Sequence, residues 1–168
     1  RLGQRSPMRL TILICLFLAA MSPAMAQSWG RYENARFGYA VDVPPGFVGQ
    51  GEAANGDGQV FVSADGTQEF RVFGGNALDG FEQRVVDAMG YARDDGWTLS
   101  YERTTPSWAS FSGIRNGLIV YARAIALCGG DQFASFQLIY PERDLDALHA
   151  TIERLVASLE ATGNSASC

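Results

Sequence analysis

The chain has 168 residues, 47 % hydrophobic and 18 % charged, the composition of one ordinary globular domain. All 13 of its basic residues are arginine, and 18 acids outnumber them for a net charge of −5. That balance argues against nucleic-acid binding and against adhesion to an anionic membrane surface, both of which need a basic face.

Residues 8–26 read as a secretory leader. Arg9 supplies a short basic start, an apolar run follows over 10–20, and Ala24 and Ala26 make an A-x-A site. Cleavage is expected between Ala26 and Gln27. The apolar run is shorter than the roughly 20 residues that span a bilayer, so no membrane segment is expected after cleavage. Residues 1–7 precede Met8 and are read as lying upstream of the true start. Without residues 1–26, ten arginines face 18 acids, a net charge of −8. The expected location is the periplasm or the medium.

Residues 27–36 read as a polar lead-in anchored by Trp29 and Tyr32. Residues 37–43 alternate, with Phe37, Tyr39, Val41 and Val43 on one side, which is a strand. Pro44, Pro45 and Gly46 stop it, and Phe47 and Val48 are expected to fold back onto the core. Two alternating runs flank Asp65-Gly66 and form a hairpin, since Asp and Gly accept the positive φ of a tight turn. Residues 76–94 carry Leu78, Phe81, Val85 and Met89 at helical spacing, with Asn76 or Asp79 as the candidate cap. A strand follows over 97–103. Two more runs are joined by Asn116-Gly117, a strong hairpin signal, and 132–140 is a last strand ended by Pro141. Residues 144–161 form a second helix with an apolar stripe through Leu148, Ile152, Leu155 and Leu159. The pattern predicts a single α+β domain over 27–161, an antiparallel sheet with helices packed on it, then a tail over 162–168.

Cys128 and Cys168 are the cysteines left after the leader, and in an exported protein two cysteines point to one disulfide. Cys128 ends a strand. The next strand runs away for ~30 Å and the final helix returns over ~27 Å, which brings the tail back to Cys128. Such a bridge closes a loop of about 40 residues and is worth about 4 kcal/mol in the chain-entropy model.

Chemistry is sparse. The stretch "NGDGQVFVSADG" sets amides and carboxylates beside glycines. Its spacing fails an EF-hand loop, because Val60 stands where glycine is required and Gly66 where glutamate is. Turns explain it better, leaving a calcium site from Asn55, Asp57 and Asp65 as an alternative. No lysine is present to hold phosphate. The one histidine, His149, lies on the final helix, and no G-x-S-x-G elbow accompanies it. No catalytic, cofactor or metal site is therefore assigned. Adjacent Asp94 and Asp95 are read as solvated charges. Aromatics at strand positions, Tyr101 and Trp108 among them, are read as core or cross-strand pairs, with some free to line a groove on the sheet's second face.

"RFGYAVDVPPGF" resembles the opening of PsbP-like and Mog1-like domains through Phe37, Gly38, Val41, Pro44, Gly46 and Phe47. Tyr140-Pro141 before a final helix fits the same pattern. The resemblance implies an α/β/α sandwich around an antiparallel sheet and supplies no catalytic site. It implies an accessory or binding role by analogy of fold. The expectation is an exported monomeric domain that binds a protein or a small apolar ligand in the cell envelope. A secreted hydrolase using paired carboxylates and a calcium-binding envelope protein are the alternatives.

Overall fold

A computed structural model describes residues 28–163 and 168. The elements in chain order are β1 Gly30–Asn34, β2 Tyr39–Val43, β3 Phe47–Glu52, β4 Gly58–Ser63, β5 Glu69–Asn76, α1 Phe81–Asp94, β6 Thr98–Thr104, β7 Trp108–Arg115, β8 Leu118–Leu127, β9 Gln132–Pro141, α2 Leu145–Ser158 and β10 Glu160–Ala161. The predicted leader and its Ala26–Gln27 junction lie outside the described residues.

All strand pairings are antiparallel. Seven strands form one sheet in the order β3-β4-β5-β9-β8-β7-β6, and β1-β2-β10 form a small second sheet. Side chains along a strand alternate between faces, so the large sheet has two sides to bury. On one side α1 packs Phe81, Val85 and Met89 into a cluster with Phe111, Ala122 and Phe133. On the other, Leu155 and Leu159 join Tyr39 and Val41 of the small sheet against Phe70, Phe136 and Leu138. This is an α+β sandwich of the predicted class. β9 carries both cores, with Phe133 facing one and Phe136 the other, which is why its sequence reads as a near-continuous apolar run.

The hairpin turns follow their chemistry. Asn116 and Gly117 both have positive φ, 52° and 75°, the pair that matches the strand twist of β7 and β8. Asp65-Gly66 reverses the chain between β4 and β5, with Gly66 at φ 72°.

Several boundaries differ from the sequence reading. The polar lead-in contains β1. Only Tyr32 and Asn34 face inward there, and one of them is polar, so no hydrophobic alternation announces the strand. Phe47 packs against the core, but Val48 is 61 % exposed because neighbouring residues of β3 point to opposite sides. The first helix begins five residues later than predicted. Asn76 is held in the ladder opposite Gln132, and Gly80 at φ 87° turns the chain into Phe81 with no side-chain cap. Leu78, which fits the helical period, is therefore 93 % exposed in the connecting turn. The second helix ends at Ser158. Leu159 is extended, and Glu160–Ala161 pair with β2 instead of adding a helical turn.

Candidate functional site

The stretch rich in glycines and acids is divided by β4. Asn55 and Asp57 sit in the turn that enters this strand, and Asp65 in the turn that leaves it. Six residues of strand separate the two turns by ~20 Å. The residues of the alternative calcium site, Asn55, Asp57 and Asp65, are not brought together, because one ion needs all its oxygens within ~2.6 Å.

Each turn satisfies its own carboxylate. Asp57 Oδ1 lies 2.8 Å from Arg36 Nη1, and Asn55 Nδ2 donates to Asp57 Oδ2 at 2.6 Å. Arg36 also donates to the Asn55 carbonyl. The Asp57 carbonyl accepts from the Tyr39 hydroxyl and from the Gly74 amide, each at 2.9 Å. The turn is thus clamped to β2 and β5. Asp65 Oδ1 accepts from Ser63 Oγ at 2.7 Å, Thr67 N at 3.1 Å and Thr67 Oγ1 at 2.9 Å. Those hydrogen bonds, led by Ser63, hold its pKa down to about 2.

Beside these turns lies a buried polar knot. Asn34 is 4 % exposed. Its Oδ1 accepts from the Phe37 amide at 2.9 Å, and its Nδ2 donates to the Gly56 carbonyl at 2.9 Å and to the Tyr32 hydroxyl at 3.1 Å. Tyr32 in turn donates to Glu52 Oε1 at 2.7 Å. Burial pushes the Tyr32 hydroxyl up to about 12, with Glu52 adding and Asn34 opposing. Every group in the knot has a partner within the protein, so its task is to tie β1, β3 and the loop at Gly56 together.

The described residues form several concavities, and the most apolar of the larger ones lies on the α2 side. An open groove of about 580 Å³ runs between α2 and strands β6 to β8. Ile114, Ile119, Tyr121 and Tyr140 line it from the sheet, and Leu145, Ile152 and Val156 from the helix. Among the described residues, α2 is the helix that borders the sheet here, at one wall of the groove. Ile114 and Leu145 remain exposed in the groove wall, and Tyr101 stands exposed opposite Ser112 at its edge. Glu153 is the one acid in the lining and lies 3.8 Å from His149 across a helical turn. On the α1 side lie a tight space of about 30 Å³ beside Phe81 and Phe133, the room one water needs, and a more polar cleft of about 310 Å³ between Arg84, Asp95 and Arg115.

Solved structures share this fold. The cyanobacterial PsbP of Synechocystis superposes with a TM-score of 0.62 over 86 % of this chain and 98 % of its own, at 15 % identity. The Saccharomyces cerevisiae Ran-binding protein Mog1p gives 0.58 over 82 % and 97 %, at 12 % identity. The fold is PsbP/Mog1-like. No family model matches the sequence and no curated protein matches it.

Within the PsbP/Mog1-like frame the remaining predicted residues can be placed. Cys128 follows β8, and Cys168 stands with its Cα 5.3 Å from that of Cys128, within the range for a bridge. His149 is exposed on α2, where Glu153 is its neighbour at 3.8 Å. Asp95 pairs with Arg115 at 2.6 Å across the sheet end. Among the described residues no group of three or more His, Cys, Asp or Glu is placed to hold a metal, and no helix is long and apolar enough to cross a membrane.

Proposed function

We propose that this chain is an exported, non-enzymatic binding domain of the bacterial envelope, and that it works through the groove between α2 and strands β6 to β8. The observation that carries the reading is the groove itself. Its volume of about 580 Å³ is within the usual range for ligand sites, its walls are isoleucine, leucine, valine and tyrosine, and a few hydroxyls at Ser100, Ser112 and Tyr121 supply polar contacts. An uncovered apolar side of a sheet costs solubility and is kept where something binds. Ran binding belongs to Mog1p; it supports binding as a use of this fold and nothing finer. The leader read at residues 8–26 supports export.

The test is a titration with an apolar fluorescent dye of the protein expressed with its leader and purified from the periplasm. Saturable binding is expected, abolished by Ile114→Glu, at an exposed residue of the groove wall, with the melting temperature kept. Binding that Ile114→Glu leaves unchanged would place the ligand elsewhere. A protein that takes up no apolar probe but cleaves ester or glycoside substrates would overturn the reading.

A further inference from the structure

The groove has a cationic lip. Strand register puts Arg103 of β6 opposite Ser110 of β7, and Ser110 opposite Arg123 of β8. The next row along the same face is Tyr101, Ser112 and Tyr121. Two Tyr-x-Arg segments therefore stand as parallel walls on either side of two small serines. Trp108 closes one end. The Arg123 Cζ lies 4.1 Å from the Trp108 ring centroid and the Arg103 Cζ lies 5.5 Å from it. Two guanidiniums share one indole, an arrangement in which their charges repel while the ring attracts both.

Neither arginine has an acid. Among the described residues Arg84, Arg103 and Arg123 are the arginines in no ion pair, although acids far outnumber bases in this chain. Arg84 lies on the α1 side over Phe133, so Arg103 and Arg123 are the two that adjoin. Arg123 is half-buried, and its Nε is buried with no hydrogen-bond partner in the protein. Burial pulls its pKa below the ordinary arginine value, the mark of a cation losing water without gaining an anion. A cation in that state is the arrangement expected where an external anion completes the site.

The lip joins the groove directly. Arg123 Nη1 donates to Ser110 Oγ at 3.2 Å, and the Tyr121 hydroxyl lies 3.4 Å from the same oxygen. Tyr121 and Ser112 are themselves groove-lining residues. The guanidinium is one hydroxyl away from the apolar trough, and Glu153, the acid of that trough, is on the helix wall. The trough accepts an alkyl chain, and the fork of a guanidinium matches a planar carboxylate with two parallel N–H donors.

We infer that the ligand of this groove is a single-chain amphiphile with a carboxylate head, its head held by Arg103 and Arg123 beside Trp108 and its chain lying under α2. The inference rests on the groove being the binding site. It names a soluble monomeric ligand, and the overall negative charge still disfavours an anionic membrane surface.

Isothermal titration of the purified exported protein separates the two readings. Decanoate is the probe, 1-decanol the neutral chain of equal length, and inorganic phosphate the head without a chain. Decanoate is expected to bind tighter than decanol. Arg103→Gln is expected to weaken decanoate by about tenfold, the worth of one charge-assisted hydrogen bond, and to leave decanol unchanged. Arg123→Gln should do the same if it folds, and Arg123→Lys, which keeps the charge and loses the fork, should fall between. Equal binding of decanoate and decanol, insensitive to Arg103→Gln, overturns the carboxylate inference and leaves the groove standing. Phosphate binding without decanoate binding overturns the amphiphile. Failure of both chains to bind removes the groove reading as well.

Discussion

Arg36 Nη1 stands 2.8 Å from Asp57 Oδ1, on the carboxylate whose other oxygen accepts from Asn55. A guanidinium already occupies the place a metal ion would need. The melting temperature should accordingly be the same in excess calcium and in chelator. A rise of several degrees with calcium alone would show that an ion displaces Arg36.

The Asn34 knot predicts a large local cost. Asn34→Ala leaves the Phe37 amide and the Gly56 carbonyl short of a partner in a buried place, a loss of about 2–3 kcal/mol. Asp57→Ala removes an exposed pair with Arg36 and should cost about 1 kcal/mol or less. Urea unfolding of the two variants side by side checks the ordering; an Asp57 variant as damaged as the Asn34 variant would contradict it.

Two ionisations should show opposite pH behaviour. The Tyr32 pKa is raised by burial to about 12, above the value of about 10 in an unfolded chain. Its contribution to stability is complete below pH ~10 and is lost as pH rises toward about 12. Tyr39 and Tyr140 are raised by burial as well, so alkaline tyrosinate absorbance should appear together with unfolding. Asp65 is lowered to about 2, so its contribution is complete above the unfolded value of about 4 and is lost as pH falls toward about 2. Ser63→Ala removes the largest cause and should move the Asp65 carboxyl midpoint upward in an NMR titration; an unmoved midpoint would assign the shift elsewhere.

Cys128 and Cys168 are expected to be bridged in an oxidising compartment. Thiol reagent should label neither before reduction, and reduction should lower stability by up to about 4 kcal/mol. Two labelled thiols in the oxidised, folded protein would end the proposal.

Core and turn leucines should part company. Leu155 is fully buried in the core shared by α2 and the large sheet, and Leu155→Ala should cost about 3 kcal/mol or more. Leu78→Ala, at a residue nearly all in solvent, should stay within about 0.5 kcal/mol.

The sheet was legible wherever alternation or turn chemistry was strong. Asn116-Gly117 and Asp65-Gly66 named their hairpins, and Phe37 to Val43 named β2. β1 was not legible, because its inward residues are a tyrosine and an asparagine whose burial depends on Glu52 and Gly56 far along the chain. Leu78 misled because three residues of period cannot show that the ladder to β9 holds Asn76. The groove was foreseen only as aromatics on a second face. Its lip is written in the sequence as Tyr101-x-Arg103 and Tyr121-x-Arg123, the same triplet 20 residues apart, but spacing alone cannot say that β7 lays both beside Ser110.

β9 is the last long strand in chain order and the middle strand of the large sheet. Glu69 of β5 pairs with Ile139, and Ile119 of β8 with Tyr140, so β9 is what joins β3-β4-β5 to β8-β7-β6. Until residues 132–141 are present the two halves are connected only through α1 and have no common ladder. A chain threaded N-terminus first through a channel can therefore form two meanders early but cannot close its core until nearly its whole length has passed. If the chain is exported as proposed, its committed folding step belongs to the far side of that channel, and truncation between β8 and β9 should leave two open-edged meanders in one chain, prone to pair with each other or with neighbours.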